Sequence, residues 1–287
     1  MARLDVLIPT FCRPLGLAVT LAGLLGQTYR DFDITIADQT PEPEAYLDTP
    51  ELRTVIDALR WHGHRVTLLT NRPARGMAHQ RQFLLDHAGA PYVQYLDDDL
   101  LLEPQVIARM MSVIEAERCG FVGAPAAGLA WMGDERPHQQ NLEPWDGPVR
   151  PEPITPETIP WDRHLVNNAA NPLHLEARHL GAPAAREPGP GAVVRYRVAW
   201  VGGNLLYDRE KLLDVGGFSF WDRLPPNHAG EEVLVQFMLL RYPGGCGVLP
   251  SGTYHLGLET TVPDRRHNAA SLFADLIQEY EARQAAA

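Results

Sequence analysis

The sequence predicts an α/β fold, an open and mostly parallel sheet with helices on both faces. Three observations carry that expectation. Short β-branched runs alternate with longer amphipathic stretches through the first hundred residues. Proline, glycine and acidic residues punctuate the alternation where helices would start and stop. Finally, Asp38 and Asp97 fall directly after predicted strands, at the carboxyl edge where open sheets of this kind bind ligands.

Taken in order, Leu4 to Ile8 reads as a strand and Leu15 to Gln27 as a helix following Pro14. Asp33 to Ala37 is a second strand that ends at Asp38. Glu51 to Arg60 is helical, Val66 to Leu69 a third strand, Gly76 to His87 helical, and Tyr92 to Leu96 a fourth strand. Pro104 opens a helix in which Val106, Ile107, Met110, Val113 and Ile114 recur at helical spacing. Met110 and Met111 read as core filling, and Phe121 to Ala124 as another short strand.

From Gly133 to Gly191 the texture changes. Prolines recur, apolar periodicity vanishes, and Asn167, Asn168 and Asn171 cluster. An irregular Pro-rich insert over 131–191 is expected, either a partly ordered cover for a site or a tolerated surface insertion. Order returns with Val193 to Trp200, which alternates like a strand, and with a short helix from Arg209 to Asp214 stopped by Gly216-Gly217. Gly230 precedes a helix from Glu231 to about Arg241, terminated by Pro243-Gly244-Gly245. Cys246 to Leu249 is a short strand leading towards His255, and Asn268 caps a last helix. No internal repeat and no second hydrophobic core are evident, so 1–287 is expected to form one domain.

Composition narrows the function. The chain of 287 residues has a formal net charge of -11, which argues against a general nucleic-acid-binding face. A negative protein can still bind a negative nucleotide where a cation and arginines invert the local field. Cys12, Cys119 and Cys246 are far apart and show no C-x-x-C spacing, so neither zinc nor a disulfide framework is indicated. A reducing, cytoplasmic compartment is expected. The opening apolar run is too short and polar for a signal peptide, and no stretch reaches the roughly 20 residues of a transmembrane segment.

The strongest chemical signal is Asp97-Asp98-Asp99 directly after an apolar strand. Adjacent like charges repel, and a hard divalent cation with oxygen ligands, Mg2+ or Mn2+, relieves this. An acidic turn in water is the alternative. Asp38 at a strand end can accept a hydrogen bond from uracil N3 or cap a turn. Arg13, Arg75 and Arg81 can bind phosphate or lie on the surface. Gly202 and Gly203 allow a close backbone approach. Glu231 and Glu232 open an apolar helix whose macrodipole favours their ionised form. Either can complement that dipole or serve as a general base. Trp221 and Asp222 can form a sugar platform, or Trp221 can simply pack.

Several of these pieces, in this order, resemble the family 2 glycosyltransferases, which have the GT-A fold. Val6-Leu7-Ile8-Pro9-Thr10-Phe11-Cys12-Arg13-Pro14 is similar to that family's first strand and "IPT-x-x-RP" turn. Leu24 to Phe32 resembles its "LL-x-Q-T-x-x-x-F" stretch. Asp38 matches the Asp that ends the second strand. Arg75-Gly76 and Arg81 resemble its "G-x-x-x-A-R-N" helix, with Gln82 in place of Asn. Leu96 to Asp99 matches an "LDDD" form of its D-x-D metal motif. Gly202-Gly203-Asn204 through Val215-Gly216-Gly217-Phe218 is similar to its "G-x-N … GGF" block, and Gly230-Glu231-Glu232 stands where the family has G-E-D. The resemblance covers most of the chain outside roughly 133–191.

The resemblance implies a GT-A fold, a single Rossmann-like open mixed sheet flanked by helices, with a nucleotide-sugar-binding half over 1–130, an acceptor-binding half over 192–267 and a C-terminal helix over 268–287. It implies an inverting, metal-dependent transfer of a sugar from a nucleotide diphosphate, UDP foremost, to a hydroxyl of a small-molecule or oligosaccharide acceptor. Pro9, Thr10, Arg13, Asp38, Arg75, Arg81, Asp97, Asp98, Gly202, Gly203 and Asn204 would bind the donor. Asp97 and Asp99 with His255 would hold Mn2+ or Mg2+. Glu232 takes the place of the family's catalytic Asp, one methylene longer, with Glu231 as rival. Trp221 and Asp222 would meet the acceptor. A sugar nucleotidyltransferase and a non-catalytic nucleotide-sugar-binding protein are the other readings. The first usually has a Gly-rich basic loop after the first strand, and Pro9-Thr10-Phe11-Cys12 is not one.

Overall fold

A computed structural model describes residues 3–181 and 192–286. Its elements are, in order, β1 (Leu4–Thr10), α1 (Pro14–Leu25), β2 (Phe32–Asp38), α2 (Pro50–Trp61), β3 (Val66–Thr70), α3 (Met77–Asp86) and β4 (Tyr92–Leu96). There follow β5 (Leu100–Leu102), α4 (Val106–Glu117), β6 (Phe121–Gly123), β7 (Ala127–Gly128), α5 (Asp162–Leu165), α6 (Asn171–Leu180) and β8 (Val194–Tyr196). The rest are β9 (Asn204–Asp208), α7 (Arg209–Asp214), α8 (Glu231–Arg241), β10 (Gly245–Leu249), β11 (Thr253–His255) and α9 (Phe273–Ala286).

Among the described residues, eight strands form one sheet in the order β3-β2-β1-β4-β9-β6-β10-β8. From β3 to β4 all pairings are parallel. Strand β9 then enters antiparallel between β4 and β6, and β8 closes the far edge antiparallel to β10. The sheet is therefore open and mixed. β1 is buried along its whole length, as a central parallel strand covered on both faces must be. Its one charged residue, Asp5, is satisfied by the backbone N–H groups of Gly89 and Ala90 at 2.7 and 2.9 Å.

Side chains alternate across the strands and divide the apolar residues into two clusters. Val6, Ile8, Ile34, Ile36, Leu206 and Val248 pack with α1, α2 and α4. Leu7, Val93, Tyr95, Leu205 and Tyr207 pack with α3, α7, α8 and α9. One sheet divides the two layers. The second cluster, holding Leu234, Phe237, Met238 and Phe273, is what buries α8.

The structure departs from the sequence expectations at several elements. The strand expected over Val193 to Trp200 is only β8, whereas the segment at Gly202–Tyr207, read for its glycines, supplies the interior strand β9. A second, three-stranded sheet, β5-β11-β7, was not anticipated. In it His255 pairs with Leu100, which fixes the chain after Tyr254 beside the aspartate run. The insert is not wholly irregular: α5 and α6 form within it, α6 starting at Asn171 with Pro172 in its first turn. Its residues 182–191 lie outside the described residues.

Candidate functional site

A cavity of about 690 Å³ opens at the carboxyl ends of β1, β2 and β4, within the range typical of ligand pockets. It is lined by Pro9, Thr10, Phe11, Arg13 and Gln39, by Asp97, Asp98 and Asp99, and by Gly202 and Gly203. Arg81, Glu231, Glu232 and His255 complete its charged lining with Arg265. Most of the residues singled out from the sequence are thus brought together from segments more than two hundred residues apart.

The aspartates are held differently from one another. Asp98 accepts a hydrogen bond from Thr10 Oγ1 at 2.6 Å and faces Arg13 Nη1 at 3.2 Å. Burial nevertheless raises its pKa to about 6, against the pull of Thr10 and Arg13. Asp99, buried, faces Arg13 Nη1 at 2.9 Å and His255 Nε2 at 3.2 Å. Asp97 is the most open of the three, its side chain 34% exposed. Its pKa is raised by burial, with Arg81 acting in the opposite direction.

Two of these contacts bear on a metal ion. Gly257 N–H donates to His255 Nδ1 at 2.9 Å, so the proton of a neutral imidazole sits on Nε2 and points to Asp99. In this arrangement His255 is a donor to Asp99 rather than a free ligand. Its hydrogen bond to Asp99 raises its pKa. Among the described residues no group of three His, Cys, Asp or Glu side chains is arranged around a metal position. What fits a hard divalent cation is the oxygen donor pair of Asp97 and Asp99 on the cavity wall.

Arg81 ties the aspartates to the glutamates. It is 2% exposed. Its Nη2 lies 2.6 Å from Glu232 Oε1 and 3.4 Å from Asp97 Oδ1, and its Nε lies 3.2 Å from Glu231 Oε1. Burial opposes its charge, but the three carboxylates outweigh burial and raise its pKa. The Tyr95 ring lies against the guanidinium, 5.4 Å from centroid to Cζ, and Tyr95 Oη donates to the Arg81 carbonyl at 2.6 Å. Glu232 is pushed up to about 8, chiefly by burial, with Arg81 pulling it down. Both glutamates stand in the first turn of α8, where the helix dipole assists an anion.

Gly230 sets that turn. Its φ is +83°, and a Cβ there would meet Asn268 Oδ1 at 2.5 Å. The neighbouring Ala229 exchanges backbone hydrogen bonds with His267 and Ala269, both at 2.9 Å, so the segment after β11 is stitched to the start of α8. His228 Nε2 accepts the N–H of Ala78 at 3.0 Å and so caps the first turn of α3, which carries Arg81.

Five sequence-assigned residues do not meet the cavity. Asp38 is 2% exposed, and its Oδ1 accepts the Thr40 N–H at 2.8 Å while Oδ2 faces Arg72 at 3.7 Å. It caps a turn behind the wall that Gln39 forms. Asn204 is fully buried: its Oδ1 accepts from Gln94 at 2.6 Å and its Nδ2 donates to Thr253 at 3.0 Å. It links β4, β9 and β11. Arg75 lies over the Trp221 ring, 5.9 Å from its centroid, and Trp221 also packs on His79. Neither those two nor Asp222 lines the cavity. The tryptophan that does is Trp200, with His164 and Asn167 from the insert beside it in the lining. Asn167 Nδ2 donates to the Trp200 carbonyl at 2.7 Å, and a Cβ on Gly202 would meet the indole at 2.8 Å.

Sequence reading missed Gln39, Trp200, His164, Asn167 and Arg265. The adjacency of Gln39 to the strand-ending Asp38 and of Trp200 to Gly202-Gly203 was the available signal. Among the described residues no helix is long and apolar enough to cross a membrane, and Cys12, Cys119 and Cys246 are free thiols.

The family model described as "Glycosyl transferase family 2" matches residues 5–174. Among solved structures, S. aureus TarS 1-349 in complex with UDP-GlcNAc is similar over 98% of this chain and 66% of that one, at 12% identity and a TM-score of 0.56. The S. aureus TarS crystal structure is similar over 98% of this chain at 11% identity and a TM-score of 0.53, and this chain spans 39% of it. The shared architecture is the GT-A fold. No curated protein sequence matches the chain.

Proposed function

Because this chain belongs to glycosyl transferase family 2, we propose that it transfers a sugar from a nucleotide diphosphate, UDP foremost, to an acceptor hydroxyl with inversion at the anomeric carbon. One observation carries the reading. The aspartate run after β4 and the glutamate pair at the start of α8 meet in a single cavity at the carboxyl edge of the sheet, joined through Arg81. An inverting transfer needs charge control at the diphosphate and a base at the acceptor.

In this mechanism Arg13 and Thr10 orient Asp98 and Asp99 towards the diphosphate region. Asp97 and Asp99 would hold a divalent cation, Mn2+ or Mg2+, whose chemistry is to neutralise charge building on the leaving diphosphate. Exposed Arg265 is a further cation for that group. Glu232 accepts the proton of the acceptor hydroxyl at a carboxylate oxygen as that hydroxyl attacks the sugar. Its elevated pKa makes it the stronger base of an ordinary carboxylate scale once deprotonated. Arg81 fixes its position and holds Glu231 beside it. Trp200, His164 and Asn167 give the acceptor an aromatic and polar wall in place of Trp221 and Asp222.

Two sets of variants test this. Asp99→Ala should abolish both transfer and Mn2+-dependent binding of UDP, read as thermal stabilisation of the protein by the nucleotide. Glu232→Gln should keep UDP binding and lose turnover. If Glu231→Gln is the inactive variant and Glu232→Gln turns over normally, the base is misassigned. Retained activity in Asp99→Ala would remove the aspartate run from the mechanism.

A further inference from the structure

Asp98 is the middle member of the aspartate run, and both of its carboxylate oxygens are engaged. Oδ2 accepts the Thr10 hydroxyl at 2.6 Å, and Oδ1 faces Arg13 Nη1 at 3.2 Å. The hydroxyl of Tyr46 lies 2.5 Å from Thr10 Oγ1. A threonine hydroxyl has one proton to give, and here it goes to Asp98, so Tyr46 is the donor of the pair. Tyr46 is buried, and burial pushes its pKa up to about 12, which keeps that proton in place near neutral pH. The chain from Tyr46 through Thr10 to Asp98 therefore runs in one direction. Tyr46 itself is not in the lining of the cavity; it sits in the connection between β2 and α2. That connection meets the first loop a second time, where Thr40 Oγ1 accepts the N–H of Cys12 at 2.9 Å. Cys12 has a left-handed φ of +53°, uncommon for a residue with a Cβ. Arg13, next in the chain, supplies the other hold on Asp98 and reaches Asp99 at 2.9 Å.

Resting on the donor-site reading above, we propose that Tyr46 is a positioning residue for the cation and diphosphate site, holding Asp98 through the Thr10 hydroxyl so that the run presents Asp97 and Asp99 to the cavity. Asp98 is then the anchor of the run and not a ligand. Three adjacent carboxylates repel one another. Tying the middle one to the end of β1 fixes the backbone from which the outer two project. Hydrogen bonds in a buried chain polarise one another, so loss of the first donor weakens the hold on the last acceptor.

Isothermal titration of the whole chain with UDP, once with Mn2+ and once with EDTA, tests this, and the ratio of the two affinities is the readout. A purely structural loss weakens both affinities alike and leaves the ratio, whereas displacing Asp97 and Asp99 lowers it. Tyr46→Phe removes the first donor at nearly equal volume and should lower the ratio by about threefold to tenfold. Thr10→Val should lower it at least as far, and adding Tyr46→Phe to Thr10→Val should change it no further. Thr10→Ser keeps the hydroxyl and should keep the wild-type ratio. Should Thr10→Val fail to fold, the Tyr46→Phe ratio decides alone. If Tyr46→Phe retains the wild-type ratio, or its loss adds in full to that of Thr10→Val, Tyr46 does not act on the run through Thr10 and the donor site stands. If the wild type binds UDP no better with Mn2+ than with EDTA, the cation reading of the aspartates falls and this one falls with it.

Discussion

Replacing Arg81 with methionine should destabilise the protein, and more at alkaline than at acid pH. Arg81 is buried and faces Glu232 at 2.6 Å, Glu231 at 3.2 Å and Asp97 at 3.4 Å. Two unit charges about 4 Å apart attract by about 4 kcal/mol at an effective dielectric constant of about 20. Removing one partner of a buried pair costs about 3–5 kcal/mol. Asp97, a third exposed, is screened by solvent and adds little to this. The sign with pH follows from Glu232. Its carboxyl already titrates near 8 in the fold, against an ordinary value of 4.5, with Arg81 holding it down. Without Arg81 the folded value rises further. A carboxyl raised in the fold contributes stability that is complete below the unfolded value and lost as pH climbs through the folded one. The gap between wild type and Arg81→Met should therefore begin to widen only above about pH 8, and be larger by about 1 kcal/mol at pH 9 than at pH 5. Urea denaturation at those two pH values, followed by tryptophan fluorescence, measures it. An equal loss at both, or none, would mean that the glutamates are solvated and not held by Arg81.

Two further outcomes follow from the same geometry. Since Glu232 must shed its proton to act as base and burial holds its pKa near 8, kcat/KM should rise with pH through about 8 in the free enzyme. A rising limb centred between about 4 and 5, the ordinary carboxylate range, would contradict that environment. Asn204→Ala should cost about 1–3 kcal/mol by stranding Gln94 and Thr253, with UDP affinity by calorimetry unchanged. A tenfold fall in affinity at undiminished stability would return Asn204 to the ligand.

Much of the framework was legible in the chain itself. Tyr92–Leu96 and Arg209–Asp214 have the limits expected of them, and Glu231–Arg241 runs from the expected start to the expected end. Each is an apolar or amphipathic run closed by charge, glycine or proline, which are local signals. The aspartate run was placed at a strand end for the same reason. The strands β5, β7 and β11 were not legible, because two or three residues carry no period and their pairing is made by distant partners. Helix α6 had one local sign, Pro172 in its first turn, set among prolines and asparagines that read as loop.

By itself, then, the sequence determined the α/β alternation and the segments that reach the cavity. It did not determine which neighbour within a segment faces the ligand. Side chains alternate across a strand end and fan out from a turn, so a shift of one residue exchanges cavity for interior. Only the packed sheet turned Asp38 inward to Thr40 and left Gln39 on the wall, buried Asn204 beside Gly203, and set Trp200 rather than Trp221 at the opening. The same packing turned Arg81 from an expected phosphate ligand into the clamp on three carboxylates, because that role depends on α8 arriving from 150 residues further along the chain.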